Sequence, residues 1–341
     1  MAGEEGPVPP SLVRVSIGSA ILLGLVKGRL DAKPTTLYLL TYHEGKCSGN
    51  CAFCSQARES SSKEDLLSRV TWPAFPTENV VRSITRTHAT NGLYRICIQA
   101  MNYPDAFVEV LALVRSLRDA TDLPVSASCQ PFNKEQIEHL HTAGVDRIGI
   151  PLDAANESLF QTVKGSTAGG PYLWSEYLRG LKDAVSVFGR GQVSTHLIVG
   201  LGEKDNELLG MIQKMIDMGV YPSLFAFTPI PGSKFEKAPR PSLERYRRIQ
   251  LAQHLLTRRM GRVEEMTFDS SGNLISFGMD EEYLLKIIET GRPFMTSGCP
   301  GCNRPYYNER PGGEIYNYPT QVGTKDAEEI AHHMFRRKKD D

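Results

Sequence analysis

Three thiols within eight residues, Cys47, Cys51 and Cys54 in EGKCSGNCAFCSQ, are the first side chains that could do chemistry. A structural metal site is closed by four protein ligands, whereas a catalytic one keeps a position open. Three thiolates suit three corners of a cubane iron–sulfur cluster and leave its fourth iron free for another ligand. Gly49 and Asn50, between the first two cysteines, let the loop curl so that the thiolates converge. A partial zinc knuckle and a set of reactive thiols are the other readings of this loop.

Four more cysteines follow. Cys97 lies in YRICIQAM and Cys129 ends PVSASC; each alone also reads as a small buried core residue. Cys299 and Cys302 form CPGC, a tight ligand pair that is equally legible as a redox dithiol or half of a zinc site. Seven cysteines are an odd number, and the sequence shows no secretory signal, so a disulfide framework is not expected. In a closed barrel the last strand neighbours the first, so Cys97, Cys129, Cys299 and Cys302 could meet over one end of the lumen. Four thiolates would complete a second cluster, with no cysteine left over.

The elements that must position these thiols are short β-rich runs alternating with helical patterns. Strands are expected at Thr36–Tyr42, Tyr94–Met101, Pro124–Cys129, Asp146–Asp153, Gln192–Glu203 and Pro222–Ile230, each followed by an amphipathic stretch. The runs are continuous rather than alternating, which suits strands buried on both faces of a parallel sheet. Six βα units of this kind predict an α/β fold, a TIM-type (β/α)8 barrel. Met266–Phe277 and Arg292–Gly298 are the candidates for its seventh and eighth strands. Ala20–Val26 reads as the apolar face of an N-terminal helix. The expected organisation is an N-terminal helical extension over 1–35, a barrel over 36–298, and a C-terminal loop extension over 299–341 carrying CPGC and a charged tail. The RRKK run in that tail reads as a solvated end. The three-cysteine loop then sits past the carboxyl end of the first strand, where active sites of parallel barrels collect.

On CxxxCxxC with the aromatic Phe53 before the last cysteine, the sequence resembles the radical S-adenosylmethionine superfamily. The resemblance implies that the open iron takes the amino and carboxylate groups of S-adenosylmethionine, with Phe53 near its adenine. One electron then releases a 5′-deoxyadenosyl radical that abstracts hydrogen from an unactivated carbon. Asp153, ending GIPLD, could take the ribose hydroxyls or cap the next helix. Gly200 and Gly202 in LIVGLGE resemble the glycine-containing fifth-strand motif that runs past the adenine. Over about Thr36 to Pro229 the chain is similar to biotin synthase: RICIQAMNYPD and SASCQPF match strands whose cysteines ligate an auxiliary cluster there. Ser194 stands where that enzyme has a third such cysteine, and CPGC stands where it uses an arginine. This departure points to an all-cysteine auxiliary 4Fe–4S cluster. The ending TSGCPGCNRPYYNERPGGEIYNYP looks like one subunit of the two-component, archaeal-type lipoyl synthase.

That resemblance implies two 4Fe–4S clusters and S-adenosylmethionine as cofactors. It implies sulfur insertion into an octanoyl chain on a lipoyl carrier protein or peptide, a homologous second subunit, and an electron donor of ferredoxin or flavodoxin type. Cys97, Cys129, Cys299 and Cys302 would hold the sulfur-donor cluster. Asn303, Arg304, Tyr306 and Tyr307 are candidates for contact with substrate or cluster, and Met101 and Phe227 for an apolar channel above the barrel. A radical mutase, lyase or methylase whose second cluster gives no sulfur is a rival, and a non-catalytic cluster carrier is another. With 39 acidic and 39 basic side chains, bulk charge steers no partner, which disfavours nucleic acid. No apolar run approaches a membrane span, and a soluble cytoplasmic protein is expected.

Overall fold

The protein is described by a computed structural model covering residues 8–87 and 92–335. The chain opens with β1 (Leu12–Val15) and α1 (Ile17–Leu22), the helix capped by Ser16, whose hydroxyl accepts the Ser19 N–H. Then come β2 (Thr36–Thr41), every residue of which is buried, a small hairpin of β3 (Leu66–Leu67) and β4 (Val70–Thr71), β5 (Ala74–Pro76) and α2 (Thr77–Thr87). Strand and helix alternate next through β6 (Arg95–Gln99), α3 (Ala106–Ala120), β7 (Val125–Ser128), α4 (Lys134–Thr142) and β8 (Val145–Gly149). The pattern continues through α5 (Glu157–Val163), α6 (Trp174–Phe188), β9 (Val193–Val199), α7 (Asp205–Met218), β10 (Val220–Ala226) and α8 (Leu243–Thr257). A hairpin of β11 (Thr267–Phe268) and β12 (Leu274–Ser276), then α9 (Glu281–Glu289) and α10 (Thr324–Phe335), complete the described chain. The RRKK run lies outside the described residues.

One eight-stranded sheet runs in the order β10-β9-β8-β7-β6-β2-β1-β5. Strands β2, β6, β7, β8, β9 and β10 are parallel, and their six βα units form the expected barrel-type α/β fold. The last two strands come from elsewhere than expected. Residues 12–15 form β1, antiparallel to β2, and β5 pairs antiparallel with β1. The N-terminal helix is accordingly shorter and earlier than the Ala20–Val26 reading. Met266–Phe277 supplies no barrel strand: Asp269 accepts the Ser271 and Asn273 N–H groups and folds DSSGN into the tight turn of the separate β11–β12 hairpin. Arg292–Gly298 supplies none either. Pro293 cannot donate to a ladder, and Arg292–Phe294 forms a 3-10 turn before a single bridge from Met295 to Tyr318.

Alternation along the parallel strands divides the core. Leu37, Leu39, Ile96, Ile98, Val125 and Ala127 face outward into the layer shared with the helices. Tyr38, Leu40 and Met101 form a second cluster inside, against which Cys47, Cys97, Cys302 and Tyr307 pack. Barrel interiors are ordinarily filled by bulky branched side chains. Here Ser126, Ser128, Gly149, Ser194 and Ser223 stand among the inward positions, and a chamber of about 240 Å³ remains. Gly149 marks the tight spot: a Cβ there would stand 3.1 Å from the Ser194 hydroxyl.

Candidate active site: two groups of thiols in one chamber

The three-cysteine loop leaves β2 and is tied down on both flanks. The Ser48 N–H donates to the Asn102 carbonyl at 2.7 Å, and the Ala52 N–H to the Val163 carbonyl at 2.8 Å. The buried Asn50 amide donates to the Ala168 carbonyl and accepts the Glu59 N–H. Gly49 is required by close approach, since a Cβ would lie 2.3 Å from the Tyr172 hydroxyl. Backbone N–H groups point at the sulfurs. Those of Gly49 and Asn102 reach Cys47 Sγ at 3.3 and 3.2 Å, and that of Gln56 reaches Cys54 Sγ at 3.3 Å. Burial pushes the Cys51 thiol up, opposed by the Lys164 ammonium, and burial pushes Cys54 up to about 12, opposed by the Gln56 N–H.

Cys97, Cys299 and Cys302 form a second group lower in the same chamber. Burial, with the Cys299 and Cys302 sulfurs, raises the Cys97 thiol to about 12. Cys299 is raised by burial and by Cys302 and lowered by the Arg147 and Arg95 guanidiniums. The Cys302 N–H donates to the Cys299 carbonyl at 2.9 Å, closing a turn in which Gly301 has a φ of 75°. Asn303 anchors that turn below β2, accepting the Thr35 N–H and donating to the Lys33 carbonyl. The Leu224 N–H of β10 donates to Ser297 Oγ at 2.8 Å. The segment 296–304 thus crosses from β10 to β2, carrying CPGC to the lumen by a loop rather than a strand. Cys97 lies five residues before Asn102, whose amide holds Cys47, so the two groups stack within roughly 16 Å.

Cys129 lines the chamber but does not join Cys97, Cys299 and Cys302. The register pairs Cys97 with Ser126, so Cys129, just past the end of β7, lies three residues farther along, roughly 10 Å toward the carboxyl end of the strand. Only burial raises its thiol, to about 12; no other sulfur contributes. Of the four thiols expected for the second group, three lie close together here, and Cys129 stands apart on the wall of the same chamber. Among the described residues, no group of three or more His, Cys, Asp and Glu side chains closes on a single metal ion.

Phe53 lines the chamber beside Cys54. Asp153 lines it too, at a positive φ of 67°, and the cap of α5 is Asn156 instead. Its carboxylate receives Lys164 Nζ at 2.7 Å in a buried ion pair, with Lys164 also 4.5 Å above the Tyr177 ring. Burial raises the Asp153 carboxyl and the Lys164 charge opposes it. Gly200 and Gly202 do not line the chamber. Their N–H groups, with that of Leu201, donate to the carboxylate of Glu203, which pairs with Arg245. Ile198 and His196 of β9 face the chamber instead.

Three lining residues, Tyr172, His196 and Ser223, had no motif to mark them as cofactor-side groups, and neither had Lys164, which backs Asp153. The signal that could have found His196 is its inward parity with Ser194 on β9. Burial, then the Arg304 and Lys164 charges, hold the His196 imidazole down to about 3, so it is neutral. Arg304 lies 3.8 Å over the Phe225 ring with no acidic partner among the described residues, and its N–H donates to the Tyr38 hydroxyl. That hydroxyl is 3.3 Å from Cys302 Sγ. Tyr307 sits between the two thiol groups, its hydroxyl raised by burial and by Cys54 and Cys97.

A cubane cluster suits the upper donor set on two counts. The Cys51 and Cys54 thiols, raised by desolvation, need cationic iron beside them to become thiolates, and amide N–H groups already point at the Cys47 and Cys54 sulfurs. The sequence pattern of the Radical SAM superfamily matches residues 42–215, slightly more than half of the chain. The biotin synthase of Acinetobacter calcoaceticus is 27% identical over 203 residues, covering 57% of this chain and 56% of that enzyme. The biotin synthase of Acidothermus cellulolyticus is 28% identical over 204 residues, covering 59% and 57%. The chain thus spans little more than half the length of these relatives. Two solved structures share the fold. The FeFe-hydrogenase maturase HydG from Carboxydothermus hydrogenoformans has a TM-score of 0.52 at 17% identity, covering 71% of this chain and 56% of that one. Methylornithine synthase (PylB) has a TM-score of 0.51 at 12% identity, covering 70% and 66%. Among the described residues no helix is long and apolar enough to cross a membrane.

Proposed function

The chain belongs to the radical SAM superfamily, and from that premise we propose that it inserts sulfur into an unactivated carbon of a protein-bound octanoyl chain, as a lipoyl synthase subunit. The observation that carries this reading is the second thiol group, Cys97, Cys299 and Cys302, sharing one chamber with Cys47, Cys51 and Cys54. A catalyst that used the first group alone would have no need of three more half-buried thiols in the same chamber. The first cluster and S-adenosylmethionine supply, when bound, one-electron chemistry able to remove hydrogen from an aliphatic carbon.

The chain's own residues do the rest. Cys47, Cys51 and Cys54 would hold the first cluster, and the Gly49, Asn102 and Gln56 amides orient and stabilise the Cys47 and Cys54 sulfurs. Lys164 offsets negative charge beside Asp153 and Cys51. Cys97, Cys299 and Cys302 would hold a second cluster, which would supply sulfur in this reading; Arg147 and Arg95 favour the anionic form of Cys299. Phe53, Met101, Phe225, Phe227 and Tyr307 exclude water and leave an apolar place for the carbon between the two groups. His196 stays uncharged, so it neither repels cationic cofactor groups nor acts as an acid there. The partners in this reading are an octanoylated lipoyl carrier, a homologous second subunit, and an electron donor of ferredoxin or flavodoxin type.

The test is mass spectrometry of an octanoylated carrier peptide incubated anaerobically with the reconstituted protein, reductant and S-adenosylmethionine. The expected product carries sulfur, with iron lost from the second cluster in proportion. Cleavage of S-adenosylmethionine with a sulfur-free product and an intact second cluster would refute sulfur insertion.

A further inference from the structure

A second cavity, of about 340 Å³, lies outside the chamber, between the N-terminal segment, the β3–β4 hairpin and the loop after CPGC. Four residues, Tyr38, Gln99, Arg304 and Tyr307, line both this cavity and the chamber and so form the partition between them. The partition meets the second thiol group, since the Tyr38 hydroxyl touches Cys302 Sγ and accepts the Arg304 N–H. Ile17, Ile21, Leu30, Pro34, Val70 and Trp72 give the cavity largely apolar walls. The buried indole N–H of Trp72 has no hydrogen-bond partner.

The outer end is cationic. Arg29 and Arg310 are exposed and Arg69 half-buried, all three line the cavity, and none is in an ion pair among the described residues. Burial lowers the Arg69 guanidinium, and the neighbouring Arg310 and Arg240 charges lower it further. The acidic groups on the same walls are Asp31 and Glu309. Glu309 is turned inward, where it accepts N–H groups from Asn308, Tyr316 and Asn317. An apolar bore with a rim of unpaired arginines matches a straight hydrocarbon chain carried on an acidic polypeptide.

We propose that this side cavity is the entry channel for the substrate, a saturated acyl chain whose acidic carrier stays outside on Arg29, Arg69 and Arg310. The inference rests on the acyl-chain reading above and adds the route: the chain enters from the side, through the Tyr38–Arg304–Tyr307 partition, and meets the chamber at the level of Cys302. Met101 and Phe227 line the chamber, not this channel. Arg304, stacked on Phe225, and Tyr307 are the side chains that must move for the chain to pass.

The experiment measures binding of butanoyl- and octanoyl-lysine peptides, in acidic and neutral versions, to the anaerobically reconstituted full chain. In the wild type each added methylene should tighten binding about fourfold. Gly18 faces the cavity, and a Cβ there meets only Leu30 and Pro34 at 3.9 Å, so Gly18→Phe can fill the bore without a backbone clash. This variant should abolish the chain-length dependence and weaken octanoyl peptide binding at least about tenfold, with iron content and unfolding midpoint unchanged. Val70→Trp obstructs from β4 and serves if Gly18→Phe misfolds. Arg69→Glu/Arg310→Glu should remove the preference for the acidic peptide and spare binding of the neutral one. Chain-length dependence that survives in both obstructed variants overturns the channel and leaves the acyl reading standing. A wild type with no chain-length dependence overturns both together.

Discussion

The buried pair of Lys164 and Asp153 offers the most exacting test of the site's electrostatics. The Lys164 side chain is 1% exposed and that of Asp153 9%, with Nζ and Oδ2 2.7 Å apart. Lys164→Met keeps the aliphatic stem and removes the charge. Breaking one side of a buried pair costs about 3–5 kcal/mol, because the remaining charge is left uncompensated. Against total stabilities of about 5–15 kcal/mol that is a large fraction. The carboxylate has one escape, which is to take up a proton. Burial already raises the Asp153 carboxyl and Lys164 opposes the rise, so the variant's carboxyl goes higher still. A carboxyl whose folded pKa lies above its unfolded value, about 3.9, favours folding below that value. The contribution is lost as pH rises through the folded pKa. The penalty of Lys164→Met should therefore be larger at pH 8 than at pH 5. Urea unfolding of the anaerobic protein at the two pH values measures it. Lys164→Met/Asp153→Asn should recover much of the loss at pH 8, because the orphaned charge is gone. A penalty below about 1 kcal/mol, or one equal at both pH values, would refute the view of this pair as a buried, mutually dependent charge couple.

Other expectations follow from the geometry. Cys97→Ala should cost the reconstituted protein its second cluster, about four of eight irons, whereas Cys129→Ala should keep both; iron and sulfide analysis decides, and loss in both variants would restore Cys129 to the ligand set. Gly49→Ala drives a Cβ into the Tyr172 hydroxyl and should destabilise by about 1–3 kcal/mol, with partial rescue by Tyr172→Phe in thermal unfolding. The His196 imidazole, held down to about 3, takes up its proton mainly when the chain unfolds. Its contribution is present above the unfolded value of about 6.5 and fades on acidification, by at most about 2 kcal/mol between pH 7.5 and 5. His196→Gln should flatten that part of the acid loss in chemical denaturation, and an unchanged slope would show that the imidazole is not desolvated.

The upper thiol group was legible because its information is local. Cys47, Cys51 and Cys54 are near neighbours in the chain, their curl needs only Gly49 and Asn50, and the six βα units place the loop at a strand end. The chamber was partly legible. Ser126, Ser128, Ser194 and His196 show inward parity once the strands are drawn, but a roomy lumen also depends on nothing else filling it. The position of Cys129 relative to Cys97 was not legible in the sequence. Cys129 ends its strand much as Cys97 lies in its own, yet register puts it three residues out of step with Cys97. The LIVGLGE turn is a second case: its amides are taken by Glu203 of the same turn, which only the folded geometry reveals.

By itself the sequence determined the fold class, the first thiol group and the superfamily, since periodicity and short spacing are properties of neighbouring residues. The tertiary structure alone decided what depends on distant segments meeting. It sends residues 12–15 into the sheet in place of 266–298, carries CPGC to Cys97 across the open side of the barrel, and turns Lys164 onto Asp153. The reason is that loops reach wherever their anchors hold them. Here the anchors are Asn303 on Thr35 and Lys33, and Ser297 on Leu224, pairings separated by about 70 residues or more and unmarked by any local pattern.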